Sequence, residues 1–303
     1  MRRRAFLIRA CAASLSAGLS LAPPGRAAAP ARANVHRQLL DVAAHQQDLR
    51  RARFAAVKSA AHLEALQKAL RQTFLDMLDG LPAKAGVPPV EKTGHIEGDG
   101  YAVDKLVFES FPGYFVPALL YRPARRQGRL PAVLSPCGHS AVGKAEASYQ
   151  TLHINLAKRG YVVLTYDPVG QGERSQFWDG KKGRSRFNLT CGEHAVLGNP
   201  LYLLGSNLAR YRIWDGMRGL DYLASLPEVD PGRIGCAGNS GGGTLTAYIA
   251  ALDPRVRVAV ISCYITALPR RMGNRIQADP DADPEQDLFG FVSGGLDHAG
   301  LLA

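Results

Sequence analysis

The chain has 303 residues, five cysteines, 46% hydrophobic residues and a formal net charge of +11, a length that suits one large α/β domain plus an extension. Much of the charge is local: residues 1–33 carry six arginines and no acid, and the rest holds 31 basic against 26 acidic residues. A residual excess of about +5, with no Lys/Arg stripe interleaved with aromatics, argues against a nucleic-acid binder.

The run Arg3-Arg4-Ala5-Phe6-Leu7, an apolar stretch from Ala10 to Leu21 and Ala/Pro-rich sequence after it read as a twin-arginine export signal, with cleavage after Ala33 or Ala29. The apolar run is too short for stable membrane insertion. The expected partner is the twin-arginine export machinery, and the expected location is periplasmic or secreted. Cys11 leaves with the signal. Cys236 and Cys263 lie in apolar strand runs and are expected to be buried. Cys191-x-x-His194 is half of a metal-ligand pattern without a second half, so no metal and no cofactor is expected.

Residues 35–79 read as helical, with Leu63, Leu66, Leu70, Phe74 and Met77 at three- and four-residue steps. Gly80, Pro82 and Pro88-Pro89 end that segment. Tyr101–Phe108 and Tyr114–Tyr121 are β-rich runs meeting at Pro112-Gly113, an antiparallel hairpin. Leu130–Leu134 is a short strand, Ala145–Arg159 a helix and Tyr161–Tyr166 an apolar strand of the parallel-sheet type. Residues 173–200 are polar and read as irregular. Residues 201–226 hold a helix with Ile213, Met217, Leu220 and Leu223 on one face. A strand around Ile234, a helix reaching about Leu252 and a strand over Val256–Tyr264 follow. Strands alternating with helices imply an α/β fold with a doubly wound, mostly parallel sheet.

The chemistry concentrates at Gly238-Asn239-Ser240-Gly241-Gly242. Between a strand and a helix, G-x-S-x-G forms a nucleophile elbow, in which a sharp turn lifts the serine onto a helix N-terminus. Ser240 is the expected nucleophile, and the N–H of Gly241 the first oxyanion donor. The second donor is expected from the loop Pro136-Cys137-Gly138-His139-Ser140, as the N–H of His139. The rival reading makes the His139 imidazole the base.

These segments resemble the α/β-hydrolase superfamily, and within it acetyl xylan esterase-like exported bacterial hydrolases. The resemblance runs from about Leu70 onward, through Tyr101–Pro123, Pro136–His139, Asp167-Pro-Val-Gly170-Gln-Gly172-Glu-Arg174-Ser175, Trp214–Tyr222 and Gly238–Gly243. It implies a serine esterase that cleaves carboxylic esters, acetyl groups on carbohydrate among them, through a Ser240 acyl-enzyme. In that family the triad acid and base follow the serine. Here a single strand follows the elbow helix, and Gly295–Ala303 resembles the segment ahead of the acid-bearing strand. The chain is therefore expected to lack the last strands, with triad acid and base beyond Ala303; His139, His194 and His298 are the substitutes within it. Asp167 is expected to bond loop backbone. The expected division is a signal at 1–33, a helical extension and linker at 34–95, and a hydrolase domain at 96–303 that is incomplete at its C-terminus. A prolyl oligopeptidase-type serine peptidase and a catalytically dead remnant or binding module are the alternatives.

Overall fold

Two polar caps start the described chain. The Asn34 side chain accepts the Arg37 N–H at the start of α1 (Val35–Ala55), and the Ser59 hydroxyl accepts the His62 N–H at the start of α2 (Ala60–Met77). The helical region expected at 35–79 is thus two helices, because Ser59 adopts the extended backbone of an N-cap. The computed structural model describes residues 34–83, 86–125, 127–187, 190–273 and 283–303. The expected export signal lies outside the described residues.

The main sheet contains β1 (Val90–Gly98), β2 (Tyr101–Phe111), β3 (Tyr114–Pro123), β4 (Leu130–Pro136) and β5 (Val162–Tyr166). The two-residue strands β6 (Trp178–Asp179) and β7 (Arg184–Ser185) pair by themselves. The main sheet continues with β8 (Val229–Asn239) and β9 (Val256–Ser262), in the order β1-β2-β3-β5-β4-β8-β9. β1 to β3 form an antiparallel meander that meets β5, while β5, β4, β8 and β9 run parallel. The sheet thus begins at Val90.

α3 (Ala147–Lys158) lies on one face with Tyr121, Val163 and Val103. The larger core is on the other face, where α5 (Leu208–Ser225), α6 (Gly241–Leu252) and α2 pack on Phe108, Leu134, Leu164 and Ile234. β5 is buried throughout, its Val162, Leu164 and Tyr166 facing one layer and Val163 the other. That two-sided burial explains its continuous apolar run.

Residues 173–200, expected to be irregular, contain most of α4 (Thr190–Leu203). Gly192, Gly198 and Pro200 hide the helical pattern, and tertiary contacts supply what propensity lacks. Buried Glu193 accepts from the Gln176 N–H and from the hydroxyls of Ser175 and Ser185, and Gly198 lies against Pro284. α7 (Leu268–Met272) and α8 (His298–Leu301) complete the described elements. Cys236 is buried as expected, but Cys263 is exposed. It follows the last residue of β9 with φ of 55°, so the chain turns out of the sheet before its side chain can enter the core.

Candidate active site

β8 ends at Asn239 and α6 starts at Gly241, leaving Ser240 as the pivot with φ 56° and ψ −122°. A non-glycine residue held at positive φ is strained and persists only where its surroundings over-determine it. Here the Ser240 N–H donates to Ser262 O at 2.9 Å and its carbonyl accepts the Thr244 N–H at 2.9 Å. The flanking glycines are sterically required. A Cβ on Gly238 would strike the Gly242 carbonyl, and one on Gly242 would strike the Pro136 carbonyl.

The loop after β4 meets this turn. The N–H of Gly138 donates to the Tyr149 hydroxyl at 2.8 Å, and its carbonyl accepts from Nε2 of buried Gln171 at 2.8 Å. The Tyr149 phenol also hydrogen-bonds the Asn239 side chain, which ties α3, the loop and the elbow together. In a planar trans peptide the carbonyl and the following N–H point in opposite directions. Gln171 therefore sets the direction of the His139 N–H. Among the described residues, neither the His139 N–H nor the Gly241 N–H makes a hydrogen bond. Gln171 lies in the turn that Asp167 organises. Asp167 accepts from the backbone N–H groups of Lys144 at 2.7 Å and Glu173 at 3.0 Å, and pairs with Lys144 Nζ at 2.7 Å.

Beside the elbow lies a cluster built from four segments. His139 Nε2 bonds Asp283 Oδ2 at 2.9 Å and lies 3.3 Å from Glu285 Oε1. His194 Nδ1 bonds Asp283 at 3.1 Å, and fully buried Arg212 donates to His194 Nε2 at 2.8 Å and pairs with Glu285. Burial alone would lower the His139 pKa, but the bond to Asp283, reinforced by Cys191 and Glu285, lifts it to about 10. For His194, burial and Arg212 both lower it. Burial would raise the Asp283 pKa, but bonds from the two histidines hold it well below the usual carboxylate range. The cluster thus balances Arg212 and protonated His139 against Asp283 and Glu285.

His139, His194, Asp283 and Glu285 each present a ligand-type atom within 4.8 Å of the others. The hydrogen bonding is a poor match for a metal. Arg212 has only protons to offer, so His194 Nε2 is the acceptor and neutral His194 carries its proton on Nδ1, the nitrogen a cation would need bare.

Of the residues expected in the site, His139 lies against Gly241, the residue that follows Ser240. Among the described residues no hydrogen bond is made by Ser240 Oγ. His194 joins His139, with ring centroids 5.2 Å apart. His298 is engaged elsewhere: its Nδ1 accepts the Thr266 N–H at 2.9 Å, its ring packs on Tyr264, and burial lowers its pKa to about 4. Sequence reasoning missed Tyr149, Arg212, Asp283 and Glu285. Gln171 was visible inside the Asp167 turn, but nothing distinguished it there.

The strand order and the strand–Ser240–helix elbow define an α/β-hydrolase-type fold. Residues 91–274, more than half of the chain, match the acetyl xylan esterase (AXE1) family, and the chain belongs to that family. It is 30% identical over 207 residues to the Bacillus subtilis protein YtaP, covering 65% of this chain and 62% of that one. It is 27% identical over 168 residues to acetyl esterase Axe7A of Xylanibacter ruminicola, covering 52% and 37%. The chain spans less than two thirds of the length of these relatives. Among solved structures, BF1801 of Bacteroides fragilis superposes with a TM-score of 0.67 at 19% identity, covering 81% of this chain and 66% of that one. Methylesterase BT1017 superposes with a TM-score of 0.57 at 24% identity, covering 85% and 52%. Both share the fold.

Proposed function

We propose that the protein is a carboxylic-ester hydrolase acting on carbohydrate esters, acetyl esters among them, through a Ser240 acyl-enzyme. The strained Ser240 pivot at the N-terminus of α6 carries this reading. Such a turn has a cost that packing alone does not require, and it presents a hydroxyl beside two unbonded amides. Ser240 Oγ attacks the ester carbonyl, and the Gly241 and His139 N–H groups hold the oxyanion. The Ser240 proton ends on the departing alcohol oxygen, and water then adds to the acyl-enzyme, releasing the acid and restoring the Ser240 hydroxyl. The reading assigns no base among the described hydrogen bonds of Ser240. Family membership and likeness to an acetyl esterase support the substrate class. The twin-arginine pattern at Arg3-Arg4 supports action outside the cytoplasm.

Hydrolysis of 4-nitrophenyl acetate and of acetylated xylan tests the reading. Ser240→Ala should reduce ester turnover by roughly a thousandfold or more, as loss of a serine nucleophile does. Turnover that is unchanged in Ser240→Ala, or a preference for peptide amides over acetate esters, would sink it.

A further inference from the structure

The cluster beside the elbow contains more charge than a loop anchor needs. Asp283, Glu285, His194 and Arg212 are each no more than 4% exposed, and burying so many ionisable groups is costly unless each is paired. The His139 ring is their outermost member, with its side chain 19% exposed. Its Nε2 edge is occupied by the two carboxylates. The adjoining Nδ1–Cε1 edge of the ring faces the elbow: Nδ1 and Cε1 each lie 2.9 Å from where a Cβ on Gly241 would stand, and Glu285 Oε1 is equally close. Gly241 provides the proposed oxyanion N–H, so the ring forms the wall next to that amide.

We propose that the His139 ring, and not only its backbone N–H, is part of the oxyanion site, where it acts as a fixed cation that offsets the charge developing on the ester carbonyl oxygen. This rests on the ester-hydrolase reading and adds a catalytic residue to it. Two features support it. The ring is held by Asp283 and Glu285, which are in turn fixed by His194 and Arg212, so the charge is pre-positioned and needs no reorganisation during reaction. The bond to Asp283 also favours the protonated ring, which suits a cation rather than a base. The groups facing it are Asp283 and Glu285 from the last segment, Cys191 and His194 from α4, Arg212 from α5, and the Gly241 amide from α6. Loss of its proton leaves two carboxylates against one guanidinium beside the oxyanion, a net negative charge where the transition state is itself negative.

The test is kcat and KM for 4-nitrophenyl acetate from pH 6 to 11, with thermal melts across the same range, for the full chain, Ser240→Ala, His139→Gln and Asp283→Asn. The full chain should lose kcat on an alkaline limb near pH 10, at pH values where the melts show it still folded. His139→Gln should lower kcat at pH 8 by roughly 10- to 100-fold, somewhat less than deletion of a full oxyanion donor, with KM changed about twofold at most, and should lose the limb. Asp283→Asn, which keeps the shape but removes a charge, should move the limb toward neutral pH; this decides the matter if His139→Gln does not fold. Ser240-dependent turnover with unchanged kcat in His139→Gln, or a limb that Asp283→Asn leaves in place, overturns the inference alone. Turnover independent of Ser240, or none in the full chain, overturns the ester-hydrolase reading and the inference with it.

Discussion

At the residue scale, the loop proposed to hold the oxyanion depends on side chains from outside it. Gln171 determines where the His139 N–H points by holding the carbonyl of the same peptide. Gln171→Ala should therefore lower kcat by roughly tenfold while leaving KM near its original value, since a misaimed donor costs transition-state binding above all. A proportionate rise in KM without loss of kcat would show that Gln171 shapes binding only. Tyr149→Phe removes one acceptor from the Gly138 N–H and leaves the Gln171 clamp intact, so its effect should be the smaller of the two. His153 shows the opposite use of a histidine. It is fully buried, its Nε2 bonds Ser135 Oγ at 2.8 Å, and burial lowers its pKa to about 4. It belongs to the core under α3.

At the element scale, the join between β8 and α6 leaves no room for side chains. Gly238→Ala should cost more than the ~1 kcal/mol typical of a point mutation, because its Cβ meets the Gly242 carbonyl and the strand end cannot retreat. A melting temperature within two degrees of the parent would contradict this. The cluster joins α4, α5, the oxyanion loop and the last described segment, so a change in α5 should be felt as a loss of that docking. Arg212→Leu leaves buried Glu285 with the His139 ring alone to offset it and should cost about 3–5 kcal/mol, whereas Arg212→Leu with Glu285→Leu should recover much of it. The double-mutant cycle measures the difference.

At the scale of the whole molecule, buried histidines set the pH range of stability. His153 and His298 have folded pKa values of about 4 against an ordinary 6.5, so the unfolded chain takes up protons that the folded chain refuses. Stability falls as pH drops from about 6.5 to 4, by up to about 1.4 kcal/mol per pH unit for each site. His139 acts in the other direction. Its folded pKa is raised to about 10, so its contribution is full below about pH 6.5 and fades as pH rises to 10. Urea midpoints measured from pH 4 to 10 should peak between 6 and 7. A flat profile would mean that these rings titrate as they do in water.

Much of this was legible in the chain. The β2–β3 hairpin, the buried run of β5 and the strand–Gly–Ser–helix elbow all follow from local periodicity and turn chemistry, which act over a few residues. α4 was missed because its glycines and proline conceal the helical period, and what holds it is contact with Ser175, Ser185 and Pro284. Asp283 and Glu285 were missed for a related reason. They lie in a Pro- and Asp-rich stretch with no pattern, and only the fold brings them to His139.

That meeting also has a timing. The His139–Asp283 and His194–Asp283 bonds join residues 144 and 89 positions apart. At usual rates of synthesis, roughly ten seconds or more separate the emergence of the first partner from that of the last. Throughout that interval the ribosome-bound chain can form its hairpin and early sheet, but the His139 ring lacks the carboxylates that later hold it and raise its pKa. The cluster around Asp283 is thus completed only after residue 283 has emerged, well after the hairpin and early sheet can form.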